Sequence, residues 1–242
     1  MQELKGGNSN QVLRDGNTVL RKMGKWSPFV HQFLNHLYDN GFDAAPRFIE
    51  IVDNRERLTY LKGEVGHYPL RDYMLTEQVV IDAAKLLRRL HDISLSFEIA
   101  PDAAFMLPDV SITDYEVIGH NDFAPYNCVF QDERLVGVFD FDTASPTNRL
   151  WDISYAVYRF CPLATDKHCR DMGFRVLPNR KYRLDLFCDA YGLIERDSLI
   201  STVITRLKSL ISYMQSTGSN LDHIAGYQRD IAYIQQNQEF LS

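Results

Sequence analysis

Three side chains in one stretch have the types and spacing to do chemistry: Asp122, Asn127 and Asp140, within HNDFAPYNCVFQDERLVGVFDFD. The short apolar runs Cys128-Val129-Phe130 and Leu135 to Phe139 flank the polar turn Gln131-Asp132-Glu133-Arg134. That pattern predicts a β-hairpin. Its open end would bring Asn127 and Asp140 side by side, with Asp122 on the loop just before it. If the second strand continues, Asp142 shares the face of Asp140. Phosphoryl transfer uses such a set. One carboxylate orients an attacking hydroxyl and accepts its proton, while an amide oxygen and another carboxylate hold Mg²⁺ against nucleotide phosphates. Asp122 is then the candidate base, Asn127 and Asp140 the candidate metal ligands, and Asp142 a further one. Any one of these aspartates alone would read as a solvated loop carboxylate. The combination at this spacing reads as a site.

The rest of the chain must position that set. Its 242 residues are 45% hydrophobic and 24% charged, an ordinary globular composition with ample length for a core. The net charge is -6 with no run of Lys or Arg, which argues against a nucleic-acid partner. The acidic balance would suit a cationic small-molecule acceptor. The N-terminus has no apolar signal region and no window is long and apolar enough to span a bilayer, so the expectation is a cytoplasmic protein without a membrane partner. Cys128, Cys161, Cys169 and Cys188 form no C-x-x-C pair and read as reduced thiols. His168-Cys169 is a metal pair by adjacency only.

Along the chain, Gly6-Gly7-Asn8-Ser9-Asn10 and Arg14-Asp15-Gly16-Asn17 are turns, and Thr18 to Arg21 reads as a strand. No Gly-Lys-Ser/Thr follows, which excludes a Walker loop. Ser27 is the expected N-cap of a helix with Pro28 in its first turn. Phe29, Val30, Phe33, Leu34 and Leu37 recur at helical spacing. Strands over Pro46 to Ile51 and Glu56 to Leu61 flank an Asp53-Asn54 turn. A second amphipathic helix runs from about Leu75 to Ile93, and Ser94 to Asp114 reads as a polar loop. Apolar stripes beginning at Ile153, Leu184, Ile200 and Leu221 predict four more helices of core-facing type.

The central segment has the spacing of a kinase catalytic core and resembles the aminoglycoside phosphotransferase and choline kinase-like family, in its bacterial branch with the string HNDFAPYN. The residues that carry the likeness are the His-x-Asp-x4-Asn loop at His120, Asp122 and Asn127, the strand end Phe139-Asp140-Phe141-Asp142, and Asp152 at a helix start. The resemblance implies an α+β, two-lobe protein-kinase-like fold, with a small, mostly β N-lobe over residues 1–61 and a mostly α C-lobe over 62–242. It implies His120 and Asp152 as structural supports, and a hinge at Thr59, Tyr60 and Leu61 whose backbone would meet adenine. A phosphate-clamping cation belongs on the third strand. Arg21 and Lys22 compete for it, and the resemblance favours Arg21.

One departure stands out. Kinases anchor that cation to an acid on the following helix, and no acid lies between Trp26 and Leu37. His31 and Gln32 fall nearest, and His31 reads as a helix-surface residue. The expected activity is ATP- or GTP-dependent, Mg²⁺-assisted phosphorylation of a small-molecule hydroxyl. The alternative is an inactive nucleotide-binding protein acting in toxin immunity or self-protection. A metal-dependent hydrolase is weaker, because His120 is the only histidine in the cluster.

Overall fold

The computed structural model describes residues 2–4, 12–108, 110–218 and 221–241. The Gly6 to Asn10 turn lies outside them. Strands β1 (Gln2–Leu4), β2 (Val12–Asp15) and β3 (Thr18–Lys22) are followed by helix α1 (Ser27–Asp39) and strands β4 (Phe48–Val52) and β5 (Arg55–Thr59). They form an antiparallel sheet in the order β1-β2-β3-β5-β4. The β4–β5 hairpin turns on Asp53 and Asn54, with φ 48° and 60°. Two successive left-handed residues match the right-handed twist of the flanking strands, and Asp and Asn tolerate that region best after Gly. β4 begins two residues later than the apolar pattern implied, because Pro46 has no N–H to give to a ladder.

Helix α1 forms where the apolar spacing placed it. Phe29, Val30, Phe33, Leu34 and Leu37 are all buried on one face. Its cap differs from expectation. Trp26 holds the N-cap position, Ser27 opens the helix, and Ser27 Oγ accepts the Gly24 N–H at 3.0 Å. The hydroxyl therefore satisfies a donor of the incoming turn rather than one of the helix's own first amides.

Beyond Thr59 the chain is mostly helical. A short strand β6 (Glu64–Val65) precedes α2 (Glu77–Ser94), and strands β7 (Val117–Gly119), β8 (Cys128–Gln131), β9 (Arg134–Val138) and β10 (Ser145–Thr147) follow. Helices α3 (Arg149–Phe160), α4 (Asp166–Asp171), α5 (Arg180–Tyr191), α6 (Leu199–Thr217), α7 (Leu221–Gln236) and α8 (Gln238–Leu241) complete it. The segment expected to be a polar loop after α2 has no regular structure but carries two aromatic anchors. Phe97 and Phe105 meet the Phe29 ring edge-on at 5.8 and 4.8 Å. Polar composition hid them because isolated aromatics show no periodicity.

One hydrophobic core runs from α1 through α2, β7 to β9, α3, α5 and α6. Phe33, Phe123 and Phe141 are fully buried in it, each contributing about 1.5–3 kcal/mol of transfer free energy. This shared core fixes the sheet against the helices. None of the described helices is long and apolar enough to cross a membrane. All four cysteines are buried and unpaired with one another. His168 bonds Asp230 through Nδ1 at 2.6 Å, and among the described residues no cluster of three or more His, Cys, Asp or Glu could hold a metal.

Candidate active site

The loop between β7 and β8 begins under the start of α3. Asn148 caps α3, its Oδ1 accepting the Trp151 N–H at 2.8 Å, and this places Asp152 in the first turn. Asp152 is fully buried. Its Oδ2 accepts the His120 N–H at 2.8 Å and His91 Nε2 at 2.9 Å, and its Oδ1 accepts the Asn121 N–H at 2.7 Å. Burial opposes its ionisation, yet the hydrogen bond and charge of His91, together with His120, outweigh that and hold the carboxyl below its usual range. His91, at the end of α2, holds the Tyr191 hydroxyl 2.7 Å from its other nitrogen. Three helices thus meet on the backbone of His120 and Asn121.

His120 ties the same loop to the hairpin. Its Nε2 donates to Phe139 O at 3.0 Å, its Nδ1 accepts the Asp122 N–H at 3.3 Å, and its ring lies 4.8 Å from that of Phe141. Asn121 sits at φ 61°, its amide nitrogen bonded to Thr143 O and Ser145 Oγ. From α6, Arg206 Nη2 donates to Asn121 O at 2.7 Å.

Asp122 is therefore presented by a loop that is held on every side. Its carboxylate accepts the Tyr126 hydroxyl at 2.5 Å and the Asn127 amide at 2.8 Å. Burial raises its pKa above the usual carboxylate value, Asp140 adds to the rise, and the Tyr126 hydrogen bond and His120 offset it in part. Asp122 remains partly exposed. The side chain is a carboxylate with a raised proton affinity and one open side, which suits a general base. The sequence reading passed over Tyr126, whose hydroxyl also contacts that of Tyr155 at 2.8 Å.

The β8–β9 hairpin turns on Asp132 and Glu133, with φ 49° and 62°. It is aimed by Asp82 of α2, which accepts Arg134 Nε and Nη2 at 2.7 and 2.6 Å and the Leu135 N–H at 3.3 Å. At the open end the Phe139 N–H donates to Asn127 O at 2.9 Å, so Asn127 and Asp140 are neighbours as the pattern predicted. Asn127 turns its amide nitrogen to Asp122, which leaves the carbonyl oxygen as the end available to a cation.

Asp142 reaches the site by a different route from the one expected. β9 stops at Val138, Asp140 adopts φ 64°, and Phe141 to Thr143 form a 3₁₀ turn. Asp142 does not follow Asp140 along a strand. The left-handed residue reverses the chain, and both carboxylates converge on Arg21. Arg21 Nη1 lies 3.0 Å from Asp140 and Nη2 lies 2.5 Å from Asp142. Lys22, its neighbour, points to solvent.

The anchor missing from α1 is supplied by the sheet. Arg21 Nε makes an ion pair with Glu56 of β5, directly opposite it in register, and His31 Nε2 bonds the other oxygen of Glu56. Glu56 is 1% exposed and His31 6%. His31 is not a surface residue. It is buried against β4, its ring stacked 3.8 Å from that of Phe48. Glu56 was legible as a charged residue at an inward position of a strand, but only once the register with Arg21 was known. Burial weakens the Arg21 charge, yet Asp142, Glu56 and Asp140 more than restore it, and its pKa stands above the ordinary arginine value. Burial, with Asp140 and Glu56 as neighbours, holds Asp142 above the usual carboxylate range despite Arg21.

At the end of β5 the N–H groups of Thr59 and Tyr60 are taken by Arg47 O and Asn17 O at 2.9 and 2.8 Å. The Leu61 N–H has no backbone acceptor among the described residues. A cleft of about 480 Å³ opens on this segment, lined by Asn17, Tyr60, Leu61, Lys62, Val129 and Gly137. Arg21, Asp122 and Asp140 lie outside its lining.

Comparison with known proteins bears on this arrangement. Residues 103–176 match the model of a phosphotransferase enzyme family, a span that contains the loop and hairpin above. The trifolitoxin immunity protein of Rhizobium leguminosarum bv. trifolii is 30% identical over 211 residues, covering 84% of this chain and 78% of that protein. Among solved structures, an amicoumacin kinase in complex with AMP-PNP, Ca²⁺ and its ligand superposes with a TM-score of 0.70 at 12% identity, covering 98% of this chain and 88% of the other. A choline kinase from Cryptosporidium parvum Iowa II gives 0.63 at 12% identity, covering 99% and 89%. At that identity the likeness establishes the two-lobe kinase-like fold.

Proposed function

The chain belongs to the phosphotransferase enzyme family, and from that premise we propose that it transfers the γ-phosphoryl group of ATP or GTP to a hydroxyl of a small molecule in the cytoplasm. The observation that carries this reading is Asp122: a carboxylate of raised proton affinity, open on one side, on a rigid loop beside Asn127. A protein that only binds nucleotide has no use for such a base.

Residues 1–61 form the nucleotide-binding lobe in this reading and residues 62–242 the lobe of the catalytic loop, with Thr59 to Leu61 as the hinge. Leu61 offers its N–H to the base, and Arg21 clamps phosphate oxygens. The donor set fits Mg²⁺. Asn127, Asp140 and Asp142 present hard oxygen donors. One guanidinium faces three carboxylates in the Arg21 cluster, an excess of negative charge that a divalent cation would offset. Mg²⁺ held there would screen the nucleotide's phosphates and the charge that develops on them. Asp122 orients the acceptor hydroxyl and takes its proton. The hydroxyl oxygen bonds to the γ-phosphorus, the bond from that phosphorus to the β–γ bridging oxygen breaks, and the nucleoside diphosphate leaves with the electron pair. His120 and Asp152 hold the loop and touch no reactant.

The test is Asp122→Asn, which keeps shape and removes basicity. Isothermal titration should give Mg-ATP affinity close to the parent's. ADP release across a panel of hydroxylated acceptors should fall by about 10²–10⁴-fold. If the parent binds Mg-ATP but its ADP release never exceeds that of the variant, the enzyme reading is wrong and self-protection by binding replaces it.

A further inference from the structure

Next to Asp122 the C-lobe holds an arginine that nothing described so far uses. Arg159 lies on α3, and its guanidinium is surrounded by the rings of Tyr68, Tyr126, Tyr155 and Tyr158, 5.1 to 6.0 Å from their centroids. Its Nε is buried without a partner. Among the described residues no carboxylate pairs with it and no carbonyl accepts from it, although a guanidinium carries five donors in a rigid fork. The Tyr68 hydroxyl is likewise buried and unpartnered. The tyrosine faces hold the cation in position by cation–π attraction but leave its in-plane hydrogen bonds unmade.

The cage opens on the same side as the base. Asp122, Tyr126, Tyr68 and Arg159 are all partly exposed, whereas Tyr155 and Tyr158 behind them are buried. Tyr126 belongs to both groups: its hydroxyl bonds Asp122 and its ring flanks Arg159. A second cation lies close by. Arg206, 4% exposed, sits over Trp151 and Tyr155 at 5.0 and 5.8 Å, with its Nε also unpartnered. Arg206 already faces the carboxylates of Asp152 and Asp122 and donates to Asn121 O, so among the described residues Arg159 is the cation here without a paired carboxylate.

We infer that Arg159 recognises an oxyanion on the acceptor, so that the phosphorylated hydroxyl belongs to a molecule carrying a carboxylate or a phosphate ester a few atoms away. This deepens the proposed function and rests on Asp122 being the base. A cationic acceptor, which the acidic composition would have suited, is disfavoured at this position for two reasons. The aromatic cage that would receive an ammonium group is already filled by Arg159. A second positive charge brought up to it would meet like-charge repulsion that a partly exposed site screens only in part. An oxyanion instead meets planar donors that match it bidentately.

The experiment is saturation-transfer NMR on the full chain with Mg-AMP-PNP present. The probes are glycerate and N-acetylserine as carboxylates, glycerol phosphate as a phosphate ester, glyceramide as the neutral isostere, and choline. Each is supplied at about 10 mM, because a single small anion binds at the millimolar level. Saturation from tyrosine ring protons should reach the carboxylates or the phosphate ester, which tells the two sources apart. It should be at least about tenfold weaker for glyceramide and choline, the loss expected when a charge-assisted pair is absent. Arg159→Met should remove the anion signal, and Arg159→Lys should retain part of it. A choline signal equal to the anions', an anion signal unchanged in Arg159→Met, or no anion signal in the parent each overturns the inference. The comparison among probes is made on the parent and does not depend on a variant folding. Phosphoryl transfer is not part of this readout. Anion binding lost in Arg159→Met, with no transfer in the Asp122 experiment, would remove the proposed function and leave this site standing.

Discussion

Asp152→Asn probes the support of the catalytic loop with almost no change in shape. The carboxylate now accepts three hydrogen bonds, from the His120 and Asn121 amides and from His91, all with buried donors. An amide has one acceptor oxygen. If that oxygen keeps His120 and His91, the new NH₂ faces the Asn121 N–H, donor against donor. One hydrogen bond to a charged group is lost outright, two become neutral, and a buried amide is left unsatisfied, for a total of about 3–5 kcal/mol. For a chain of this length each kcal/mol shifts the melting temperature by about 2–4 °C, so the expected drop is roughly 6–20 °C at pH 7. Urea titration should show a lower midpoint, and hydrogen exchange at the His120 and Asn121 amides should accelerate. The pH dependence has a fixed sign. The folded-state pKa of Asp152 lies below its unfolded value, so its contribution is present above the ordinary carboxylate pKa and is lost as pH falls through the folded one. The gap between parent and variant should hold down to about pH 4 and close only below it. An Asp152→Asn protein that melts within about 2 °C of the parent, less than 1 kcal/mol here, yet transfers no phosphoryl group would refute this reasoning and give Asp152 a direct role.

Asn127→Ala and Asp140→Ala should each weaken Mg-ATP binding in isothermal titration while leaving the fold intact, with a modest drop in melting temperature because Asn127 is buried against Asp122 and Asp140 adopts φ 64°. Unchanged affinity in both would remove the metal assignment. Glu56→Ala leaves Arg21 and His31 without their shared partner in the sheet core, and should lower stability by about 3–5 kcal/mol in urea titration as well as raise the KM for ATP. Glu56→Gln, which keeps an acceptor for one of the two, should lie between Glu56→Ala and the parent. Transfer needs Asp122 deprotonated, and its pKa is raised, so activity should fall with acidification at a pH above the ordinary carboxylate range. Tyr126→Phe removes a hydrogen bond that favours the carboxylate, so the acid limb of the pH–rate profile should move to higher pH. A limb that stays in place would separate the profile from Asp122.

Local spacing determined much of this protein. The hairpin between Asn127 and Asp140, the Asp53-Asn54 turn, the buried face of α1 and Asp152 in a helix's first turn all depend on neighbours a few residues apart, where periodicity and turn chemistry act. Ser27 shows the limit even locally, since a hydroxyl at a helix start can serve the preceding turn as readily as the helix.

Tertiary structure alone decided which distant residues meet. Arg21 finds Glu56 because β3 and β5 pair in one register, and a shift of one residue would turn Glu56 to the opposite face. His31 is buried although its place in α1 reads as surface, because an amphipathic pattern marks the apolar face of a helix but not which polar residue at its margin lies against β4. Asp142 joins Asp140 through a left-handed residue rather than a continuing strand. Arg159 and Arg206, on α3 and α6, come to Asp122 only through helix packing. A side chain's type and phase are properties of its own segment. Its partner is chosen by how the segments close over a common core, and that closure depends on the summed burial of many residues rather than on any one motif.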